Sequence, residues 1–253
     1  MMNFLSRIVT AVNRYRRAKT LGFTFGRTKF FRPPSSIIFS QNRYPLSFPD
    51  ENGVAELFRD ILLDDEYWLE SIPKSRIRTV LDIGANIGMF SLAARIRFPH
   101  SSIHAYEPNI QVKPYLDHQA STFDFTAIYE AVGMKDGRGS LVTNPGCDTA
   151  ARVNPLDGGN IKITSLSKAM DRFDHQTVDL LKLDCEGHEH DIIDGNGSNG
   201  PLNRCRFLSM EYHLGPDMDQ NLIIRKLKNL NFEILKISSR NQVIGNILAK
   251  RRP

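Results

Sequence analysis

The stretch VLDIGANIG at residues 80–88 brings together residue types able to hold a charged, nucleotide-like ligand. An apolar run that reads as a strand stops at Gly84, and the glycines let a ligand approach the backbone where the next helix offers its free N–H groups. Dinucleotide enzymes write this turn as GxGxxG, because a pyrophosphate must be cradled. Here Asn86 replaces the middle glycine, and an acid, Asp82, sits beside the turn. A carboxylate repels a diphosphate and attracts a cation, so the pattern favours the sulfonium S-adenosylmethionine over NAD. Glu107 follows 23 residues after Gly84, at the end of the next strand, where an acid can accept both hydroxyls of a ribose. The candidate cofactor set is Asp82, Gly84, Ala85, Asn86, Gly88 and Glu107, with Glu130 just beyond the third strand.

A second cluster lies in LKLDCEGHE at residues 181–189. Asp184 and Glu186 flank a strand end, Gly187 permits a sharp turn, and Glu189 opens the following helix. Three carboxylates therefore crowd the carboxyl edge of a parallel sheet, where ligands of α/β proteins sit. Lys182, two residues before Asp184, shares its sheet face and could keep a carboxylate ionised. Uncompensated clustered acids are costly, so the group calls for a cation, a proton or a ligand. His213 follows Glu211 at the spacing that puts both on one strand face, and it is the candidate base for a hydroxyl proton. The candidate catalytic residues are thus Asp184, Glu186, Lys182 and His213. Asp184 would serve either as a general base or as a ligand for a divalent cation, and the sequence leaves that choice open. Simpler roles compete with these: Glu189 favouring a helix dipole, Lys182 in a structural ion pair, Cys185 as a small core residue.

These residues need a sheet to carry them. The spacing predicts strands at 78–83, 102–107, 125–129, 178–184 and 207–212, with helices between them, so the fold class is α/β with a mostly parallel, Rossmann-like sheet. Two final strands, 232–237 and 243–248, are separated too briefly for a helical crossover and must pair antiparallel. Between about 135 and 177, turn signals and short strands predict a hairpin-like insertion with a short helix near 166–173. After Asp50, a plausible cap, Val54, Leu57, Phe58, Ile61 and Leu62 predict a helix with one buried face.

The assembled motifs resemble those of class I S-adenosylmethionine-dependent methyltransferases, and within them the FkbM family. LDIGANIGMFS at 81–91 and YEPN at 106–109 are similar to its cofactor half, and DLLKLDCEGHE at 179–189 resembles its KxDxEGxE signature. Glu211-Tyr212-His213 and Gly245-Asn246-Ile247-Leu248-Ala249 also resemble family marks, while Ser165-Leu166-Ser167 stands where that family usually has Thr-Leu-Asp. The resemblance covers residues 50–250 and implies O-methylation of a hydroxyl on a small molecule, sugar or glycan. No NPPY-like or PCQ-like element follows the fourth strand, which argues against methylation of nucleobases. Two rivals are an NAD-dependent oxidoreductase, against which Asp82 and Asn86 speak, and a non-catalytic module of the same fold.

Charge divides the chain at residue 50. Of 33 Lys and Arg, nine lie in residues 1–50 beside a single acid, Asp50; the other 24 face 27 acids, so the body carries −3. A nucleic-acid-binding body would carry the positive charge itself, so no nucleic-acid partner is expected. The chain therefore reads as a basic arm, 1–50, and a methyltransferase-like domain, 51–253. In the arm, Met1, Met2, Phe4, Leu5, Ile8, Val9, Val12 and Tyr15 fall opposite Asn3, Arg7, Thr10, Asn13, Arg14 and Arg17. Such a helix could touch an anionic membrane through residues 1–20, pack on the body with its Arg side chains in water, or act as a presequence. Pro33, Pro34, Ser35 and Ser36 break the pattern and suggest a linker or turn. Three cysteines, an odd number in no CxxC spacing, exclude a disulfide framework and suggest the cytoplasm.

Overall fold

The computed structural model describes residues 4–252 apart from 27, 52, 145–146, 156–157, 175, 198 and 216–217. Met1, Met2 and Asn3 of the predicted amphipathic pattern, and parts of the turn signals at 144–146 and 157–160, lie outside the described residues, as does the side chain of Cys147. Strands and helices alternate as β3 (Thr79–Ile83), α3 (Met89–Arg97), β4 (Ser102–Tyr106), α4 (Lys113–Phe123) and β5 (Thr126–Ile128). The rhythm resumes with β10 (Val178–Leu183), α6 (Glu189–Asp194), β11 (Cys205–His213), α7 (Gln220–Asn229), β12 (Phe232–Ser239) and β13 (Ile244–Arg251).

These strands form one sheet in the order β12-β13-β11-β10-β3-β4-β5. The five strands from β11 to β5 run parallel, while β13 pairs antiparallel with both β11 and β12. Burial on both faces explains why β3 and β10 are mostly apolar, with Asp82 and Lys182 their buried charged exceptions. Alternate residues serve opposite layers: Val80 and Leu180 enter one apolar cluster, Leu81, Ile83, Leu181 and Leu183 the other. The first layer is completed by α3 and α4 through Leu92, Ala94, Leu116 and Ala120. The second is completed by α6 and α7 through Ile192, Ile193, Ile223 and Leu227.

The predicted insertion is a second, four-stranded sheet in the order β6-β9-β7-β8, made of β6 (Ala131–Gly133), β7 (Gly137–Asn144), β8 (Cys147–Pro155) and β9 (Ile161–Ser165). It is followed by the short α5 (Leu166–Met170), capped by the Ser165 hydroxyl. Before the large sheet, α2 (Val54–Phe58) begins at Gly53 without a side-chain cap and widens into a π-turn at Arg59–Leu63, so Asp50 does not cap it. The prolines at 33 and 34, where the sequence suggested a linker or turn, lead into a hairpin, β1 (Ser36–Phe39) and β2 (Asn42–Pro45).

The first helix, α1 (Phe4–Thr20), packs on the body in an inverted sense. Arg14, expected in water, donates two hydrogen bonds of 2.6 Å to Asp64, and Arg17 reaches the Leu63 carbonyl at 2.8 Å. The bidentate geometry at a half-buried site is worth on the order of 1 kcal/mol after screening. Ala18, Leu21, Phe25, Ile37 and Leu46 are buried in the same cluster as Phe58 and Leu63. No described helix is long and apolar enough to cross a membrane.

Candidate active site

The glycine turn rises from the carboxyl end of β3, at the centre of the sheet. Gly84 has a φ of +75°, and a Cβ there would lie 1.8 Å from the Asp184 carbonyl oxygen, so only glycine lets the ends of β3 and β10 meet. The Gly84 and Ala85 N–H groups both donate to the Tyr106 carbonyl, at 3.0 and 2.9 Å, fastening the turn to β4. Asn86, at φ +52°, adopts the left-handed conformation its type tolerates. Its N–H donates to Glu107 Oε2 and that of Asn109 to Oε1, each at 2.8 Å. The turn and Glu107 therefore adjoin, as their spacing predicted. Burial pushes the Glu107 carboxyl up to about 7, against the pull of the two N–H donors.

Beneath the turn lies a buried ionic group. Strand pairing sets Lys182 directly beside Asp82, and Asp184 follows two residues later on the same face. The Lys182 ammonium donates to the Gly84 carbonyl and stands 3.4 Å from both Asp82 Oδ1 and Asp184 Oδ2. Burial works against its charge, but Asp184 and Asp82 outweigh that and hold its pKa above the lysine value. Ser91 donates to Asp82 at 2.7 Å. Asp82, fully buried, is thus answered by Lys182 and by Ser91 of α3 and is absent from the walls of the cavity above. The carboxylate that does face the cavity is Asp184. Gly88 also stands back from it; a side chain there would press on Leu116 and Phe125, at 3.0 and 3.1 Å.

The loop after β10 is shaped by Glu189. This fully buried carboxylate accepts from the Cys185 N–H at 2.6 Å and the Gly187 N–H at 3.1 Å, curling residues 184–187 with Glu186 at φ +53°. His213 Nδ1 lies 3.5 Å from Glu189 and Nε2 3.6 Å from Glu186. Burial disfavours the imidazolium, but Glu189, Asp184 and Glu186 together carry the His213 pKa up to about 9. These carboxylates favour the imidazolium over the neutral base expected from the sequence. The ligand atoms of Asp184, Glu186 and His213 lie within 4.8 Å of one another, a spacing a divalent cation could bridge. His188 and Cys185 line the cavity, whereas His190 is buried with Nε2 2.7 Å from the His213 carbonyl.

The cavity over the sheet edge measures about 900 Å³. Its walls include Gly84, Ala85, Asn86, Glu107, Glu130, Lys182, Asp184 and Glu186, so most of the predicted residues share one chamber. Glu130 is turned toward the small sheet, paired with Lys162 at 2.8 Å and Arg172 at 3.1 Å and bonded to Thr164. Several wall residues escaped sequence reasoning. Tyr67 donates its hydroxyl to Asp184 at 2.9 Å. Arg240 reaches Glu66 at 2.7 Å, Glu211 at 3.3 Å and Asp60 at 3.9 Å, closing the far wall. Burial and the nearby Asp184 push Glu211 up to about 8, with Arg240 opposing. The one sequence signal was Tyr67-Trp68, an aromatic pair following three acids in DDEYW.

A seven-stranded sheet ending in an antiparallel pair, with a glycine turn after the first of its parallel strands in the chain and a buried acid after the next, is the architecture of a class I methyltransferase. Residues 82–234 match the methyltransferase FkbM domain, and the chain belongs to that family of S-adenosylmethionine-dependent methyltransferases. The chain is 40% identical over 52 residues, 21% of its length, to the 31-O-demethyl-FK506 methyltransferase FkbM of Streptomyces tacrolimicus. It is 22% identical over 204 residues, 64% of its length, to the AMB antimetabolite synthetase AmbE of Pseudomonas aeruginosa. These matches span only 20% and 10% of the two relatives. Among solved structures, the precorrin-6y C5,15-methyltransferase of Geobacter metallireducens shares 12% identity at a TM-score of 0.46, covering 83% of this chain and 94% of that one.

Proposed function

We propose that this protein transfers a methyl group from S-adenosylmethionine to a hydroxyl oxygen of a small molecule or carbohydrate. The observation that carries the reading is that the turn at 84–86 and the acids Asp184 and Glu186 open into one cavity. The residues suit the cofactor: each Glu107 oxygen accepts one N–H and keeps acceptor capacity for a ribose hydroxyl, and acids dominate the wall around a cationic ligand. When bound, S-adenosylmethionine supplies a methyl group already activated by positive sulfur.

The remaining work is alignment and the handling of one proton. Tyr67 and Lys182 fix Asp184, so its carboxylate orients the acceptor hydroxyl as a stationary charge. Glu186 takes the proton. Burial and Asp184 raise its pKa above the ordinary carboxylate value, the direction that strengthens a base, and His213 stands 3.6 Å away as a counter-charge. Arg240, the cation of the far wall, is already engaged by Glu66 and Glu211. An anionic acceptor would meet net repulsion there, whereas a polyhydroxylated one would meet acceptors and donors. The test pairs calorimetric titration with S-adenosylhomocysteine and methyl transfer from labelled cofactor to panels of polyols, glycans, amines and carboxylates. Base-stable ether products are expected; label on amines alone would overturn O-methylation, and failure to bind S-adenosylhomocysteine would overturn the whole reading.

A further inference from the structure

The side of α1 that faces away from the body is apolar. Arg14, Arg17 and Ala18 hold the helix down, and Leu21 is buried just after it. By the 3.6-residue period, the opposite side presents Ile8, Val9, Val12 and Tyr15, which are 45%, 58%, 41% and 52% exposed. An amphipathic helix ordinarily buries this stripe in the core. Here the ion pairs to Asp64 and Glu70 have claimed the other side, so the stripe has no core to enter.

The surroundings say what chemistry would cover it. Arg16 and Lys19, both exposed, project from the same side of the helix as the stripe. Exposed Lys29, Arg32 and Arg43 belong to the segments that follow, together with Phe30, 72% exposed and 5.8 Å from the Lys29 ammonium. Residues 1–49 contain no acid at all.

We propose that α1 docks this protein on an anionic lipid surface, with Ile8, Val9, Val12 and Tyr15 entering the boundary between headgroups and acyl chains. Arg16 and Lys19 meet the lipid phosphates, their aliphatic stems lying along the apolar stripe. Charge complementarity selects this occupant. A second copy related by a two-fold axis would oppose the same cations to one another, and an uncharged bilayer would leave them unanswered. Docking by the polar side is what leaves the stripe free while the catalytic body stays folded beside the surface.

The experiment is co-sedimentation of the full chain with vesicles of phosphatidylcholine alone or with one third phosphatidylglycerol. Binding is expected only with the anionic vesicles and should weaken about tenfold or more on raising salt to about 0.5 M. The double variant Val9→Asp/Val12→Asp should abolish it, and Arg16→Glu/Lys19→Glu should lower it at least about tenfold, with melting temperature and S-adenosylhomocysteine binding unchanged. As a readout independent of variant stability, Tyr15→Trp fluorescence should shift to the blue on adding anionic vesicles. Failure of the native chain to sediment with them, or unaltered binding by the aspartate variant, overturns the proposal. A dimer in sedimentation velocity that the aspartate variant dissolves, without vesicle binding, assigns the stripe to a second copy instead.

Discussion

Replacing Lys182 with methionine isolates the buried ionic group. The side chain is 3% exposed and Asp82 fully buried, so the variant leaves an uncompensated carboxylate beneath the glycine turn. Removing one partner of such a pair costs about 3–5 kcal/mol. For a domain of this size, that lowers the melting temperature by roughly 6–20 °C. The pH dependence carries a second signature. Lys182 has a folded pKa raised above its unfolded value, so its contribution is complete at neutral pH and disappears only as pH rises beyond about 10.4. In the variant, the stranded Asp82 is relieved by protonation, so the deficit relative to the native chain should shrink as pH falls toward about 4. Lys182→Met/Asp82→Leu, which removes both charges, should recover part of the loss. Thermal unfolding followed by circular dichroism at several pH values measures all three. A loss below about 1 kcal/mol at pH 7, or a deficit that does not change with acid, would refute the idea that these charges hold the turn.

Glu107, raised to about 7, must be ionised to accept two hydroxyls, so affinity for S-adenosylhomocysteine should climb between about pH 6 and 8. Glu107→Gln should bind at least about tenfold more weakly with a flat profile, and a native profile without slope would count against that role. Glu186→Gln should cut turnover by about 10²–10⁴ while calorimetry finds cofactor affinity within about twofold; equal turnover removes Glu186 as the base. His213 has a folded pKa raised to about 9, so its stabilisation is full below about 6.5 and is lost as pH rises through 9. Urea unfolding should show the native chain losing roughly 1–3 kcal/mol more than His213→Asn over that window, and parallel pH curves would contradict it.

What could be read from the sequence was whatever local chemistry dictates. Gly84, Asn86 and Gly187 are residues chosen by backbone angle, and Asp184 and Glu186 mark a strand end by their polarity, so both loops were visible. The closing strand pair was visible because too few residues separate β12 from β13 for a crossover. The roles of Tyr67, Glu66 and Arg240 at the cavity were hidden for the opposite reason. Two come from the loop after a π-turn and the third from a hairpin tip, and only tertiary packing brings them together at the cavity. Amphipathicity distinguished the two sides of α1 but not which would dock, because the outcome turned on Asp64 and Glu70, more than 40 residues away. For His213, strand parity said nothing of Glu186 and Glu189, which approach its ring from the loop and helix after β10.

The position of β13 has a consequence for biosynthesis. It follows β12 in the chain yet is an inner strand of the sheet, hydrogen-bonded between β11 and β12. A nascent chain leaving the ribosome therefore holds β11 with an open edge until residues 244–251 emerge, and β12 cannot find its place alone. Closure must follow synthesis of the whole sheet, which exposes unpaired strand edges during translation and makes chaperone capture of the growing chain an advantage.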